Sequence, residues 1–152
     1  MFLLCLTDEC LQALGISDGR IKDSQLTASS VYREEYKTFG PHRARLKATS
    51  WAPGYRADPS KAASAWMSVN IERIVVVTAI ATQGYGDEET PEWLTSYMLQ
   101  YSQGSDYTFF RDADGVPQVR TSTFNLTIDS KICISYTFHI IVFIHFISAT
   151  SL

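Results

Sequence analysis

Between Trp93 and Ser102 the chain alternates, with Trp93, Thr95, Tyr97, Leu99 and Tyr101 falling on one side. A period of two is strand geometry, because successive side chains leave opposite faces of a pleated backbone. Ile74 to Ala81, IVVVTAIA, is a β-branched run bounded by charge on one side and Gln83-Gly84 on the other. Its length and composition predict a buried strand rather than a helix. Gln25 to Ser29 and Ala65 to Asn70 predict two further short strands. Tyr107 to Arg111 and Gln118 to Phe124 flank Asp112-Ala113-Asp114-Gly115, which has the composition of a hairpin turn. Ahead of the first strand, Gly15 and Gly19 punctuate a polar run, and Ser17-Asp18-Gly19 is turn chemistry in which Gly19 can take a positive φ. No segment carries a sustained 3.6-residue stripe. Short strands divided by Gly- and Pro-containing loops predict an all-β sandwich.

The end of the chain breaks this pattern. Ile132 to Leu152, ICISYTFHIIVFIHFISATSL, contains no Asp, Glu, Lys or Arg and does not alternate. It reads three ways: a tail outside the domain, a membrane anchor, or a strand added to the sheet. Its length approaches a membrane span. His139 and His145 interrupt it, however, and no basic flank follows. The two histidines and the missing alternation predict that it pairs poorly with either face of a sheet, and that residues 10–152 alone are prone to aggregate.

Composition narrows the class. A chain of 152 residues, 45% apolar and 19% charged, suits one globular domain with its own core. Thirteen basic against 16 acidic side chains give a net charge of -3, the wrong sign for a phosphate-backbone binder. No nucleic-acid partner is expected. The cysteines Cys5, Cys10 and Cys133 show no CxxC or Cys/His spacing, so no zinc site is expected. Met1 to Leu6 is apolar but short and lacks a basic leader, so it is not read as a signal peptide. Two of the three histidines lie in the apolar end, leaving His42 as the one base in the rest of the chain. No nucleophile, P-loop, dinucleotide or metalloprotease motif occurs, which argues against an enzyme.

The segment CLQALGISDGRIKDSQLTASS, Cys10 to Ser30, resembles the opening of the discoidin family, also called the coagulation factor 5/8 type C domain. Ala44-Arg45-Leu46, Trp51 with Pro53, Trp66 in AWMSVN, Thr82-Gln83-Gly84, Trp93 to Tyr97 and Tyr101-Ser102 follow in the family's order. The resemblance implies a jelly-roll β-sandwich of the galactose-binding-domain type, incomplete after about residue 120. It divides the chain into an N-terminal segment 1–9, a discoidin-like domain 10–124 and an apolar tail 125–152. It also implies an extracellular or cell-surface setting. In the family a cysteine at the position of Cys10 pairs with one at the domain's end. Cys133 is the candidate partner here, in unmatched surroundings.

Discoidin domains bind through loops at one end of the sandwich, so the resemblance points to Val31–Phe39, Trp51–Pro59 and Gly84–Pro91. Loops on a rigid scaffold are where binding residues concentrate. The candidate ligand residues are Glu35, Tyr36, Lys37 and Phe39 in the first loop, Trp51 and Arg56 in the second, and Tyr85, Asp87, Glu88 and Glu89 in the third. Some relatives dip apolar loop tips into anionic membranes, which needs basic residues behind the tip. Here Glu34, Glu35, Asp87, Glu88 and Glu89 outweigh Arg33 and Lys37. The expected function is therefore recognition or adhesion, with a cell-surface or matrix glycan or protein as partner, since aromatic faces stack on sugar rings and anchor interfaces. Peripheral binding to anionic phospholipid is the alternative, and a truncated product with no independent function a third. No cofactor is expected. Calcium at Asp87, Glu88 and Glu89 is the weaker alternative, because contiguous acidic residues point to different sides. Arg45 is read as a structural ion pair, Trp51, Trp66 and Trp93 as packing residues, and Asn125-Leu126-Thr127 as a glycosylation sequon.

Overall fold

A computed structural model of the protein describes residues 13–46, 54, 64–84, 93, 96–104, 106–121, 127–129 and 134–143, with 121, 127–129 and 134–143 as backbone. Among the described residues there are eight strands: β1 (Leu26–Ala28), β2 (Trp66–Val77), β3 (Ile80–Thr82), β4 (Ser96–Ser102), β5 (Thr108–Phe109), β6 (Val119–Thr121), β7 (Thr127–Asp129) and β8 (Ile134–Phe143). The α-helix described there, α1 (Tyr36–Phe39), is one turn long. One sheet runs β1-β2-β8-β4-β5, with β6 also on β4, and a two-stranded sheet pairs β3 with β7. All these pairings are antiparallel.

The core lies on one face of the larger sheet. Val69, Ile71 and Val77 of β2 and Tyr97 and Leu99 of β4 are buried together with Ile21 and Leu26. Tyr101 joins them half-buried, so Tyr97, Leu99 and Tyr101 form one face of β4, as the alternation predicts. Gln25 ties the first strand to the second. Its Nε2 donates to the Asn70 carbonyl (2.6 Å) and its Oε1 accepts from the Lys22 N–H (2.9 Å), which satisfies a buried amide.

Three expectations change. The run Ile74–Ala81 is not one buried strand. Ile74 and Val76 are 56% and 51% exposed, while Val75, Val77 and Ile80 pack at the core. The strand stops at Val77, and Ile80–Thr82 leaves to pair in the other sheet. Upstream, Glu72 sits at φ 58° and the pairing with β8 slips between Asn70 and Val75, which marks a bulge.

The second change concerns the Asp112–Gly115 turn. The hairpin turn forms as expected, with Gly115 at φ 79° and Arg111 bridged antiparallel to Pro117, but β5 and β6 themselves ladder on β4 rather than on each other. Both lie along β4, and residues 111–117 loop out between them, closed by the Gln118 N–H on the Phe110 carbonyl (3.0 Å).

The third change concerns the apolar end. Ile134–Phe143 is neither a tail outside the sheet nor a membrane helix, for it forms β8 between β2 and β4. Val69 and Tyr101 both register on Ile140, and Asn70 and Ser102 on His139. Without alternation, an apolar run is compatible with a strand as well as with an anchor, and its composition alone does not separate the two. Among the described residues no helix is long and apolar enough to cross a membrane.

Candidate functional site

The loop after β1 is built on two anchors. Ser29 is held to β2 from both sides: its N–H donates to the Trp66 carbonyl (2.9 Å), and its Oγ accepts from the Trp66 N–H (3.0 Å). Ser30 accepts from the Gly54 N–H at 3.0 Å, which brings Gly54, from the 51–59 stretch, against the base of the first loop. Val31 is buried, and the chain then makes a 3-10 turn over Tyr32–Glu34. Arg33 and Glu34 take φ values of 50° and 59°, both left-handed without glycine. Such residues cost of order 1 kcal/mol or more each and persist only where the surroundings hold them.

The surroundings here are aromatic. Tyr32 and Phe39 meet edge to face with centroids 5.3 Å apart, and the Arg33 guanidinium lies 5.0 Å from the Tyr32 ring centroid. These contacts close the loop over α1. Gly40 follows, where the Gly40 N–H donates to the Tyr36 carbonyl (2.9 Å). An added Cβ at Gly40 would stand 2.3 Å from that carbonyl oxygen, so the turn admits no side chain there.

Between this loop and the start of β2 lies a cleft of about 320 Å³, lined by Ser29, Ser30, Val31, Glu34, Tyr36 and Ser64. Tyr36 is 58% exposed on its rim. Of the predicted first-loop residues, Tyr36 reaches the cleft. Glu35 and Lys37 are exposed without lining it, and Phe39 packs against Tyr32 at the loop's base. Glu34, Ser29, Ser30 and Ser64 were not singled out as ligand residues from sequence. The Ser29-Ser30 pair closing a strand ahead of a Tyr-bearing loop was the available signal.

Arg45 ties the N-terminal loop to the turn after α1. Its guanidinium donates to the Ile16, His42 (3.1 Å) and Ile21 (3.0 Å) carbonyls and pairs with Asp23 at 2.6 Å. It is a structural clamp, as the ion-pair reading expects. Trp66 and Trp93 are half-buried. The Asp112 carboxylate accepts from the Asp114 (3.0 Å) and Val116 (2.9 Å) N–H groups, so it serves its own turn. Near the N-terminal loop, Asp18 has its carboxyl held below the usual range. The Arg20 N–H is the main cause and the Arg20 guanidinium adds to it, while partial desolvation works the other way. Cys5, Cys10, Trp51, Arg56, Tyr85, Asp87, Glu88, Glu89, Asn125 and Cys133 lie outside the described residues.

A β-sandwich that carries a polar, Tyr-rimmed cleft on loops at its edge is a binding domain in architecture. The profile of the F5/8 type C domain matches residues 25–134, and the chain belongs to that family, the discoidin domains. The family is a non-catalytic binding module. The chain is 34% identical over 116 residues to human EGF-like repeat and discoidin I-like domain-containing protein 3, covering 71% of this chain and 23% of that protein. It is 34% identical over 118 residues to mouse lactadherin, covering 72% and 24%. The chain thus spans about a quarter of the length of these curated relatives. Among solved structures, the family 32 carbohydrate-binding module of Clostridium perfringens NanJ, in complex with galactose, superposes with a TM-score of 0.57 at 15% identity, over 80% of this chain and 83% of that one. That likeness is one of fold.

Proposed function

We propose that this chain is an extracellular recognition module that binds glycan or a protein surface through the loops at the Tyr36 end of the sandwich. The observation that carries the reading is the exposed Tyr36 ring on the rim of a polar cleft whose walls are fixed to the sheet at Ser29 and Ser30. A flat amphipathic ring held on a short turn loses little entropy on binding and suits a sugar face or a protein anchor. Loops 51–59 and 84–91, with Trp51, Arg56, Tyr85, Asp87, Glu88 and Glu89, are proposed to extend the surface. Gly54 already joins the first of them to Ser30.

Glycan-array and cell-binding assays on the purified chain test this, with galactose, the sugar in the NanJ complex, as a first probe. The expected result is saturable binding that Tyr36→Ala plus Tyr85→Ala abolishes. Binding indifferent to that double substitution refutes the loop assignment. Capture only by phosphatidylserine vesicles refutes the choice of ligand class.

A further inference from the structure

We infer that Glu34 is the specificity-determining residue of the cleft, directing it to uncharged sugar hydroxyls and against anionic ligands. The inference rests on the glycan reading of the Tyr36 loop and goes beyond it in naming the residue and the sign of the selection.

The loop separates its charges. Arg33 and Glu34 are adjacent and both left-handed, yet they end in different surroundings. Arg33 lies over the Tyr32 ring, while Glu34 lines the cleft. Lys37, one turn on, is exposed and does not line it. Among the described residues the lining set of Ser29, Ser30, Val31, Glu34, Tyr36 and Ser64 contains one ionised side chain, the exposed carboxylate of Glu34. Among the described residues no salt bridge neutralises it, since the two present join Arg20 to Asp18 and Arg45 to Asp23. The volume, about 320 Å³, is that of a small-ligand site.

A carboxylate accepts hydrogen bonds and donates none, so it recognises O–H groups. Two neighbouring hydroxyls of a pyranose can share its two oxygens while the ring's C–H face lies on Tyr36. A carboxylate, sulfate or phosphate on the ligand would meet the like charge of Glu34 and, among the described lining residues, no cation. That like charge is worth about a tenfold loss of affinity or more in a partly screened cleft.

The test titrates the full chain with lactose and with its sialylated derivative, following amide shifts and the two dissociation constants. The wild type is expected to favour lactose by about tenfold or more. Glu34→Gln keeps the shape, weakens the acceptor and removes the repulsion, so it should bring the lactose preference down by about tenfold. Glu34→Asn, whose side chain tolerates left-handed φ, is the second variant should the first lose its melting transition. A preference that survives substitution unchanged overturns the inference, as does a wild type that favours the sialylated sugar or binds neither. Tyr36→Ala separates the two readings. Loss of lactose binding in Tyr36→Ala alongside an unchanged preference in Glu34→Gln leaves the loop as the site and removes Glu34 as its selector.

Discussion

Replacing Arg45 by alanine should remove a large share of the domain's stability although the residue forms only one ion pair. Its side chain is 14% exposed and Asp23 is 70% exposed. A pair with one partner so open to water is worth less than about 1 kcal/mol. The three carbonyls matter more. Ile16, His42 and Ile21 belong to the N-terminal loop and to the turn after α1, and one guanidinium holds them together. A hydrogen bond from a charged donor contributes roughly 1.5–3 kcal/mol, and partial rehydration of the freed carbonyls reduces this to about 1 kcal/mol each. The expected loss is about 3 kcal/mol, against a net stability of about 5–15 kcal/mol for a domain. For a chain of this size that lowers the melting temperature by about 6–12 °C. Urea and thermal unfolding followed by circular dichroism would measure it. Asp23→Ala is the comparison that decides the argument. It should cost less than about 1 kcal/mol, because it leaves the three carbonyl bonds in place. Arg45→Lys should resemble alanine more than wild type, since one ammonium cannot reach three separate carbonyls. Equal losses in Asp23→Ala and Arg45→Ala would refute the reasoning and return the stabilisation to the ion pair.

Gly40→Ala should destabilise by about 1–3 kcal/mol, as expected for overpacking, and weaken ligand binding, because the new Cβ must displace the Tyr36 carbonyl that sets the rim. A melt together with the sugar titration would show both losses. Asp18, with its folded-state pKa depressed, contributes stability that is present above its unfolded pKa and fades as pH falls through the folded value. Asp18→Asn should therefore flatten the decline of the urea midpoint below about pH 4 and leave its pH dependence near neutrality unchanged. Deleting residues from 134 onward should abolish the cooperative melt, since β2 and β4 then lose their shared neighbour. In the intact chain, amide exchange should show protection across Ile134–Phe143.

Where apolar residues alternated with polar ones, the fold was legible. Tyr97, Leu99 and Tyr101 declared the buried side of β4 through alternation, and Gln25–Ser29 contains β1. Turn chemistry located Gly19 and Gly115, both at positive φ. The apolar end was harder to read. β8 carries no alternation, and an apolar run alone does not distinguish a sheet strand from an anchor. The IVVV run failed in the opposite sense. Composition could not show that Ile74 and Val76 face away from the core, or that the chain changes sheets after Val77. At the site, Tyr36 was legible as an aromatic in a polar loop. Glu34 was not separable from Glu35, because the left-handed backbone that turns one of them into the cleft has no signature in two non-glycine residues.

The position of β8 sets a temporal order on how the molecule comes together. Strands β1 and β2 lie on one side of it and β4, β5 and β6 on the other, and every one of them is synthesised before it. At about 5–20 residues per second, the ribosome needs on the order of ten seconds to extend the chain from Trp66 to Phe143. Until β8 is made, β2 and β4 lack the neighbour they share in the finished sheet, and any partial sheet built on either offers an open edge where β8 will lie. Contacts this distant in sequence also slow folding after release. The interval before the last strand docks is therefore when the chain is most exposed to mispairing with its neighbours on a polysome, and when a chaperone that shields strand edges would raise its yield most.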